Sequence, residues 1–232
     1  RHVGEALDLK SDLMIDNASN ITVGIENVDV FLPNKNKDIL IKDCTIDLMK
    51  YQSLLIMGAS GVGKSTLLRT LAGLWPYAKG NVYLPKEEEF LFLPQRPYLP
   101  LGSLRQAISY PVVEEVISEK YSDEEIKEIL IACKLENLAD KLDIVDDWSR
   151  ILSLGEQQRI AFVRILLYRP EFVFLDEATS ALDEDLEGNL YDMLKIHLPN
   201  TKIISIAHRS SLIAKHQAIL RLKEKGCWEI HE

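Results

Sequence analysis

Apolar residues along this chain follow two periods, and the change from one to the other marks its organisation. Ile21-Thr22-Val23-Gly24-Ile25 reads as a first strand, and further alternating or continuous apolar segments run through residues 21–57, ending in Ser53-Leu54-Leu55-Ile56-Met57. Val82-Tyr83-Leu84 and Phe90-Leu91-Phe92-Leu93 supply more strands. After Gln95 the period lengthens. Ser103 stands three residues before Gln106, and Ser122 three before Glu125, the spacing of a reciprocal cap that opens a helix. Ile126, Ile129, Leu130 and Cys133 then repeat at helical spacing. Ser153 and Glu156 form a third such pair, opening a helix over 156–167 that stops before Pro170. From Phe172 onward strands at 172–175, 203–207, 218–222 and 228–230 alternate with helical stretches, which predicts an α/β fold. No internal repeat or low-complexity segment interrupts it.

The junction after the strand at 53–57 holds the most specific chemistry. Gly58-Ala59-Ser60-Gly61-Val62-Gly63-Lys64-Ser65 is a complete phosphate-binding loop, followed at Ser65 by an apolar-faced helix to Leu71. Glycine is required because only a residue without Cβ lets backbone N–H groups crowd a phosphate chain and accepts positive φ. The helix N-terminus adds unpaired N–H groups and the positive end of its dipole. Residues Gly58 to Thr66 are therefore expected to cradle a nucleoside triphosphate. Lys64 would reach the β- and γ-phosphates, and the Ser65 hydroxyl would ligate Mg²⁺.

Downstream, the apolar run 172–175 ends in Asp176-Glu177, placing two carboxylates at the carboxyl end of a buried strand, where α/β sheets bind ligands. Asp176 suits Mg²⁺, a hard cation that wants oxygen ligands. Glu177 is placed to polarise an attacking water as general base. A lone Asp-Glu pair would read as a solvated turn; its position downstream of a phosphate loop favours chemistry.

Leu152-Ser153-Leu154-Gly155-Glu156-Gln157-Gln158-Arg159 resembles the signature of ATP-binding cassettes, the motif that binds ATP held by the opposite subunit. The resemblance implies a P-loop nucleotide-hydrolase cassette with a RecA-like core, an antiparallel β subdomain and an inserted helical subdomain at about 96–168. It assigns Ser153, Gly155 and Glu156 to the ATP of a second copy. Leu154 and Glu156 depart from the commonest pattern, Leu-Ser-Gly-Gly-Gln. Gln95 resembles the Q-loop glutamine that links the Mg²⁺ site to the helical region, and Ser180-Ala181-Leu182-Asp183 resembles the D-loop that packs against its twin. His208 resembles the switch histidine that contacts the γ-phosphate. A tyrosine usually stacks on adenine near the end of the first strand; here Leu32 stands at that position, which leaves Phe31 as the stacking candidate, with a core role as its alternative.

A finer block narrows the branch. Gly73-Leu74-Trp75-Pro76, Leu93-Pro94-Gln95-Arg96-Pro97-Tyr98-Leu99-Pro100, Gly102-Ser103-Leu104-Arg105, Tyr110-Pro111 and Trp148 resemble subfamily D, the peroxisomal acyl-CoA transporters, with their SbmA/BacA-like and cobalamin-transporting bacterial relatives. That implies a membrane partner, a permease domain expected in the same polypeptide. Residues 1–20, polar and rich in Asp, Asn and Ser, then read as the tether leading out of it, and 21–232 as the cassette. The expected location is the cytoplasmic face of a membrane, bacterial inner or peroxisomal, with a second cassette joining on ATP binding.

Composition changes this picture little. The 232 residues can bury a full core, and 47% hydrophobic with 27% charged is ordinary globular usage. A net charge of −9 argues against nucleic acid as a partner, which needs a basic face. Cys44, Cys133 and Cys227 lack metal or disulfide spacing, consistent with a reducing compartment. No apolar stretch approaches the roughly 20 residues of a membrane span, and no leader pattern is visible. The competing function classes are a cassette ATPase that moves no solute, which usually has long coiled-coil insertions or two cassettes, and a phosphate-loop kinase or GTPase, which would leave the 152–158 motif and His208 unexplained.

Overall fold

The computed structural model describes residues 13–16, 22–34, 38–86 and 89–232. The described residues form a four-stranded sheet, a six-stranded sheet and a helical region that carries a short two-stranded pair. The first sheet holds β1 (Leu13–Asp16), β2 (Gly24–Phe31), β3 (Ile39–Asp47) and β5 (Ala78–Tyr83), in the order β1-β5-β2-β3. β2 runs antiparallel to both β3 and β5, while β1 pairs parallel with β5. The second sheet holds β4 (Ser53–Met57), β6 (Phe90–Leu93), β9 (Phe172–Asp176), β10 (Lys202–Ile206), β11 (Ala218–Leu222) and β12 (Trp228–His231). Its order is β12-β11-β4-β10-β9-β6, parallel throughout except for β12.

The second sheet is covered on both faces, which explains why its strands read as unbroken apolar runs. Along β4, Leu54 and Ile56 face one cluster and Leu55 the other. Phe172 and Phe174 face the first, Val173 and Leu175 the second. One cluster lies between this sheet, helix α1 (Lys64–Leu71) and the first sheet. The other lies under the helical region: α2 (Leu104–Ser109), α3 (Glu114–Lys120), α4 (Asp123–Ala132), α5 (Trp148–Ile151) and α6 (Leu154–Tyr168), with α7 (Glu184–His197) beside it. Short strands β7 (Gly102–Ser103) and β8 (Val145–Asp146) clip the ends of that region together.

All three predicted capping boxes form, at Ser103–Gln106, Ser122–Glu125 and Ser153–Glu156. Buried Arg164 of α6 ties the helical region to the segment after β6: its Nε donates to the Ala107 carbonyl at 3.1 Å and its Nη2 to that of Tyr98 at 2.7 Å. Burial pulls the pKa of its guanidinium down to about 10, and these carbonyls accept its hydrogen bonds.

Besides shifts of a few residues at the strands expected at 82–84 and 203–207 and the helix expected at 156–167, the N-terminal part differs from the sequence reading. The strand expected at 21–25 begins at Gly24 and runs to Phe31, because Val23 gives its carbonyl to Leu48 ahead of the ladder; Ile21 lies outside the described residues. Leu13–Asp16, within the stretch expected as a tether, adds a strand to β5, while residues 1–12 and 17–20 of that stretch lie outside the description.

Candidate functional site

The glycine loop turns between β4 and α1 as the sequence requires. Gly58, Gly61 and Gly63 have φ of 155°, 77° and 106°. A Cβ on Gly58 would come within 2.6 Å of the Leu222 carbonyl, so this glycine is fixed by a neighbouring strand as well as by its φ. Lys64, the first residue of α1, curls back over the loop and donates from Nζ to the carbonyls of Gly58 and Ala59, both at 2.8 Å. Burial lowers its pKa, against the pull of Glu177 and Asp176.

Asp176 closes β9, one strand removed from β4 across β10. The Ser65 hydroxyl donates to its Oδ1 at 2.8 Å, and Arg69, one turn along α1, approaches Oδ2 at 3.6 Å. Burial raises the Asp176 pKa, opposed by the Ser65 bond and by Arg69. Glu177 follows in left-handed backbone, φ 53°, with its N–H on the Ile206 carbonyl at 3.1 Å. Its Oε1 meets His208 Nε2 at 2.8 Å. Lys64, Ser65, Asp176, Glu177 and His208 thus form one cluster, assembled from residues up to 144 positions apart in sequence by three adjacent parallel strands.

A cavity of about 300 Å³ opens in front of it. Ser60, Gly61, Gly63, Lys64, Ser65, Thr66 and Glu177 line the polar part, with Leu32 and Leu40 beyond. Ala59, Ser60, Gly61 and Val62 border a second cavity on the other side of the loop. Phe31, the stacking candidate, does not line the first cavity; Leu32 does, since successive residues leaving a strand face opposite ways. Phe31 is half-buried, and its carbonyl accepts from Trp75 Nε1 at 3.2 Å.

Gln95 follows β6 at the edge of the same sheet, yet its side-chain amide points to the Ser180 hydroxyl at 3.1 Å and not to Ser65 or Asp176. The residues expected to meet a second copy's ATP form a separate group. Ser153 caps α6, its hydroxyl and N–H both donating to Glu156 Oε2 at 2.9 Å, and Glu156 Oε1 accepts from Asn137 at 3.3 Å. Burial pushes the Glu156 pKa up, but these donors and Arg159 outweigh it and hold the carboxyl below its ordinary value. Gly155 lies against the Ala181 carbonyl, where a Cβ would sit at 3.4 Å. None of the three lines the glycine-loop cavity.

Two residues the sequence reading gave no role join these parts. Gln158, fully buried on α6, donates to the Gln95 carbonyl at 2.8 Å and to Ser180 Oγ at 3.1 Å, and accepts from the Ala181 N–H at 2.9 Å. Glu187 of α7 is buried, accepts from Thr179, and pairs with Arg209 at 3.1 Å, holding the residue after His208. Gln158 ends the motif at 152–158 and was visible as part of it; nothing in sequence spacing joins Glu187 to Arg209.

A glycine loop shaped to cradle phosphates, a lysine over it, and two acids at the end of the next strand but one are the features of a nucleoside-triphosphate hydrolase of the phosphate-loop class. A family model described as ABC transporter matches residues 41–180. An uncharacterized ABC transporter ATP-binding protein of Haemophilus influenzae is 49% identical over 191 residues, covering 82% of this chain and 31% of its own length. ATP-binding cassette sub-family D member 1 of Drosophila melanogaster is 36% identical over 224 residues, 94% of this chain and 30% of its own. The solved structure of a bacterial Atm1-family ABC exporter with ATP bound superposes with a TM-score of 0.73 at 24% identity, over 90% of this chain and 38% of that one, a likeness of fold. The chain belongs to the ABC transporter family and is its ATP-binding domain, an ATPase. It spans 31% of the length of the first of these curated relatives, so the remainder of such a protein lies outside it.

Proposed function

We propose that this domain is the engine of a membrane transporter: ATP closes two copies of it on each other, and hydrolysis reopens them to drive a permease domain. The observation that carries the reading is the union of the Lys64–Ser65–Asp176–Glu177–His208 cluster with a separate capped helix end at Ser153. The first binds and cleaves a triphosphate, and the second, whose residues do not line the same cavity, covers the triphosphate of another copy.

Mg²⁺ fits the site. Ser65 Oγ and Asp176 Oδ1 are hard oxygens 2.8 Å apart at the end of the phosphate loop. Among the described residues no group of three His, Cys, Asp or Glu side chains could hold a metal alone. Ser65 and Asp176 would share the ion with phosphate oxygens and water, and Gln95 would join them by turning its amide from Ser180. When bound, Mg²⁺ neutralises charge that builds on the β- and γ-phosphates.

The chain's own residues do the rest. The loop N–H groups from Gly61 to Ser65 and the α1 terminus hold the phosphates, and Lys64 leaves the Gly58 and Ala59 carbonyls to meet them. Glu177 accepts the proton of the attacking water, held in place by His208, whose ring reaches the γ-phosphate from the next strand. In a second copy, Ser153, Gly155 and Glu156 cover the triphosphate. The subfamily D relatives and the Gln95–Pro100 block support a transporter on the cytoplasmic face of a membrane. Among the described residues no helix is long and apolar enough to cross one.

Light scattering tests assembly. Glu177→Gln with Mg-ATP is expected to double in mass, and to return to monomer when Lys64→Ala is added. A mass that stays monomeric at saturating ATP refutes the paired-cassette reading.

A further inference from the structure

We infer that Glu187 is a positioning residue for hydrolysis: its buried carboxylate clamps the segment after Glu177 to the segment after His208 and so sets the distance between those two side chains. The inference rests on the roles proposed for Glu177 and His208 and extends them to a residue that does not line the nucleotide cavity.

The contact between Glu177 and His208 cannot hold itself in place. Oε1 and Nε2 stand 2.8 Å apart, but the His208 side chain is 54% exposed and that of Glu177 26%. A pair that solvent reaches gains little over separate hydration. The two residues also leave the sheet from different strands, β9 and β10. Their separation therefore has to be set by how the two departing segments are tied. The Glu177 N–H on the Ile206 carbonyl ties them once, at the sheet.

Beyond the sheet the tie passes through Glu187. Its side chain, on the first turns of α7, is 3% exposed. Oε1 accepts from the hydroxyl of Thr179, two residues after Glu177. Oε2 accepts at 3.1 Å from Nη1 of Arg209, the residue after His208. The other arm of the Arg209 fork, Nη2, donates to the Leu182 carbonyl at 2.5 Å. Within the segment after Glu177, Ser180 donates to the Glu177 carbonyl at 3.1 Å and Leu182 to that of Thr179 at 3.0 Å. One carboxylate thus has an oxygen on each segment, and a guanidinium closes the frame.

The clamp itself is anchored. Asp183 caps α7 by accepting from the Leu186 N–H at 2.8 Å, and Leu190, Tyr191 and Leu194 of that helix are buried in the core. Glutamine at 187 keeps the shape and can still bond one partner well, but brings no charge to Arg209. Loosening this frame lets His208 and Glu177 drift apart, and a misplacement of about 1 Å at reacting groups can cost about 10²-fold in rate. Lys64 and Ser65 stand on α1 with partners of their own, so nucleotide affinity is set elsewhere.

The test measures steady-state ATP hydrolysis by the purified protein, below the melting temperature of each variant. Glu187→Gln is expected to lower kcat between about tenfold and a hundredfold, with KM for Mg-ATP within about fivefold of the parent. Added to His208→Ala, the same substitution should cost less than about threefold more, because the distance it governs no longer exists. Arg209→Leu with Glu187→Leu removes the clamp without stranding a charge. That double variant should regain stability relative to Arg209→Leu alone, yet stay at least about tenfold below the parent in kcat. A kcat that recovers together with stability would show that Glu187 only holds the fold, and would overturn the inference. So would parent-like kcat in Glu187→Gln, or full additivity of its effect with that of His208→Ala. Each of these results leaves Glu177 as the base, a reading that turns on Glu177→Gln instead.

Discussion

Glu177 is asked to do two incompatible things, and substituting it in two ways separates them. In the proposed mechanism its carboxylate is the base, but its backbone sits at φ 53°, where an ordinary side chain costs about 1–2 kcal/mol. The strained geometry is held by its N–H on the Ile206 carbonyl and by the Ser180 N–H on its own carbonyl, both 3.1 Å. Glu177→Gln keeps the shape, the strain and an Oε1 that accepts from His208, but cannot take a proton. Turnover should fall by about 10²–10⁴-fold, or roughly 3–5 kcal/mol on the barrier, with stability unchanged. Glu177→Gly loses the same chemistry but relieves the backbone. It should unfold about 1 kcal/mol harder than Glu177→Gln, after allowing for the freedom glycine gives the unfolded chain. Phosphate release under saturating Mg-ATP and urea denaturation without nucleotide measure the two effects. Turnover within about tenfold of the parent in Glu177→Gln would remove the base role, and a glycine variant less stable than the glutamine variant would show that the backbone there is not strained.

Two further outcomes follow from groups outside the cavity. His216 is buried, with its Nδ1 on the Leu212 carbonyl at 2.8 Å and its Nε2 on Ser205 Oγ at 3.1 Å, and burial, opposed by the Leu212 bond and helped by Lys195, drops its pKa from 6.5 to about 4. The unfolded chain therefore takes a proton between pH 6.5 and 4 that the folded chain refuses; the contribution is complete above pH 6.5 and declines by about 3 kcal/mol as pH falls to 4. His216→Gln should flatten that part of the stability curve, and an unaltered slope would contradict the assignment. Arg209→Leu should destabilise by about 3 kcal/mol because it leaves the buried Glu187 carboxylate unpaired, and adding Glu187→Leu should recover part of the loss; a double variant as unstable as the sum of the singles would show the pair is not coupled.

Much of this was legible in the chain because local rules and the global fold agree. The glycine loop needs only its own φ angles and the strand before it, and each capping box is closed within four residues, so both are written in contiguous sequence. Continuous apolar runs at 53–57, 172–175 and 203–207 marked a sheet buried on both faces, and their ends located Asp176, Glu177 and His208. What stayed hidden depends on register and on packing between distant segments. Phe31 and Leu32 differ by one position, and only the end of the β2 ladder decides which of them lines the glycine-loop cavity. β1 is four residues of mixed character whose strand state comes from pairing with β5, 67 positions away at Leu13 and Gly80. The Gln95 amide lies on Ser180 because Gln158 brings the two loops together, a contact no spacing announces.

That junction at Gln158 also bears on how the parts work as one domain. Its amide spends both N–H groups and its oxygen on three partners: the Gln95 carbonyl, Ser180 Oγ and the Ala181 N–H. Gln95 adds its own bond to the same hydroxyl. The segment after β6, the segment after the two acids and the helix opened by Ser153 therefore share a single set of hydrogen bonds at a fully buried side chain. None of the three can shift alone without stranding a polar group, which in a buried setting costs about 1–3 kcal/mol. If Gln95 turns from Ser180 toward Ser65 and Asp176 when nucleotide arrives, Ser180 loses one of its two amide donors, and Gln158 is the remaining link. Arg164, two turns further along the same helix, holds the Tyr98 carbonyl, so the chain from Gln95 to Tyr98 is anchored to α6 at both ends. The helix whose N-terminus would face a second copy's ATP is thus mechanically joined to the loop that would sense this copy's own.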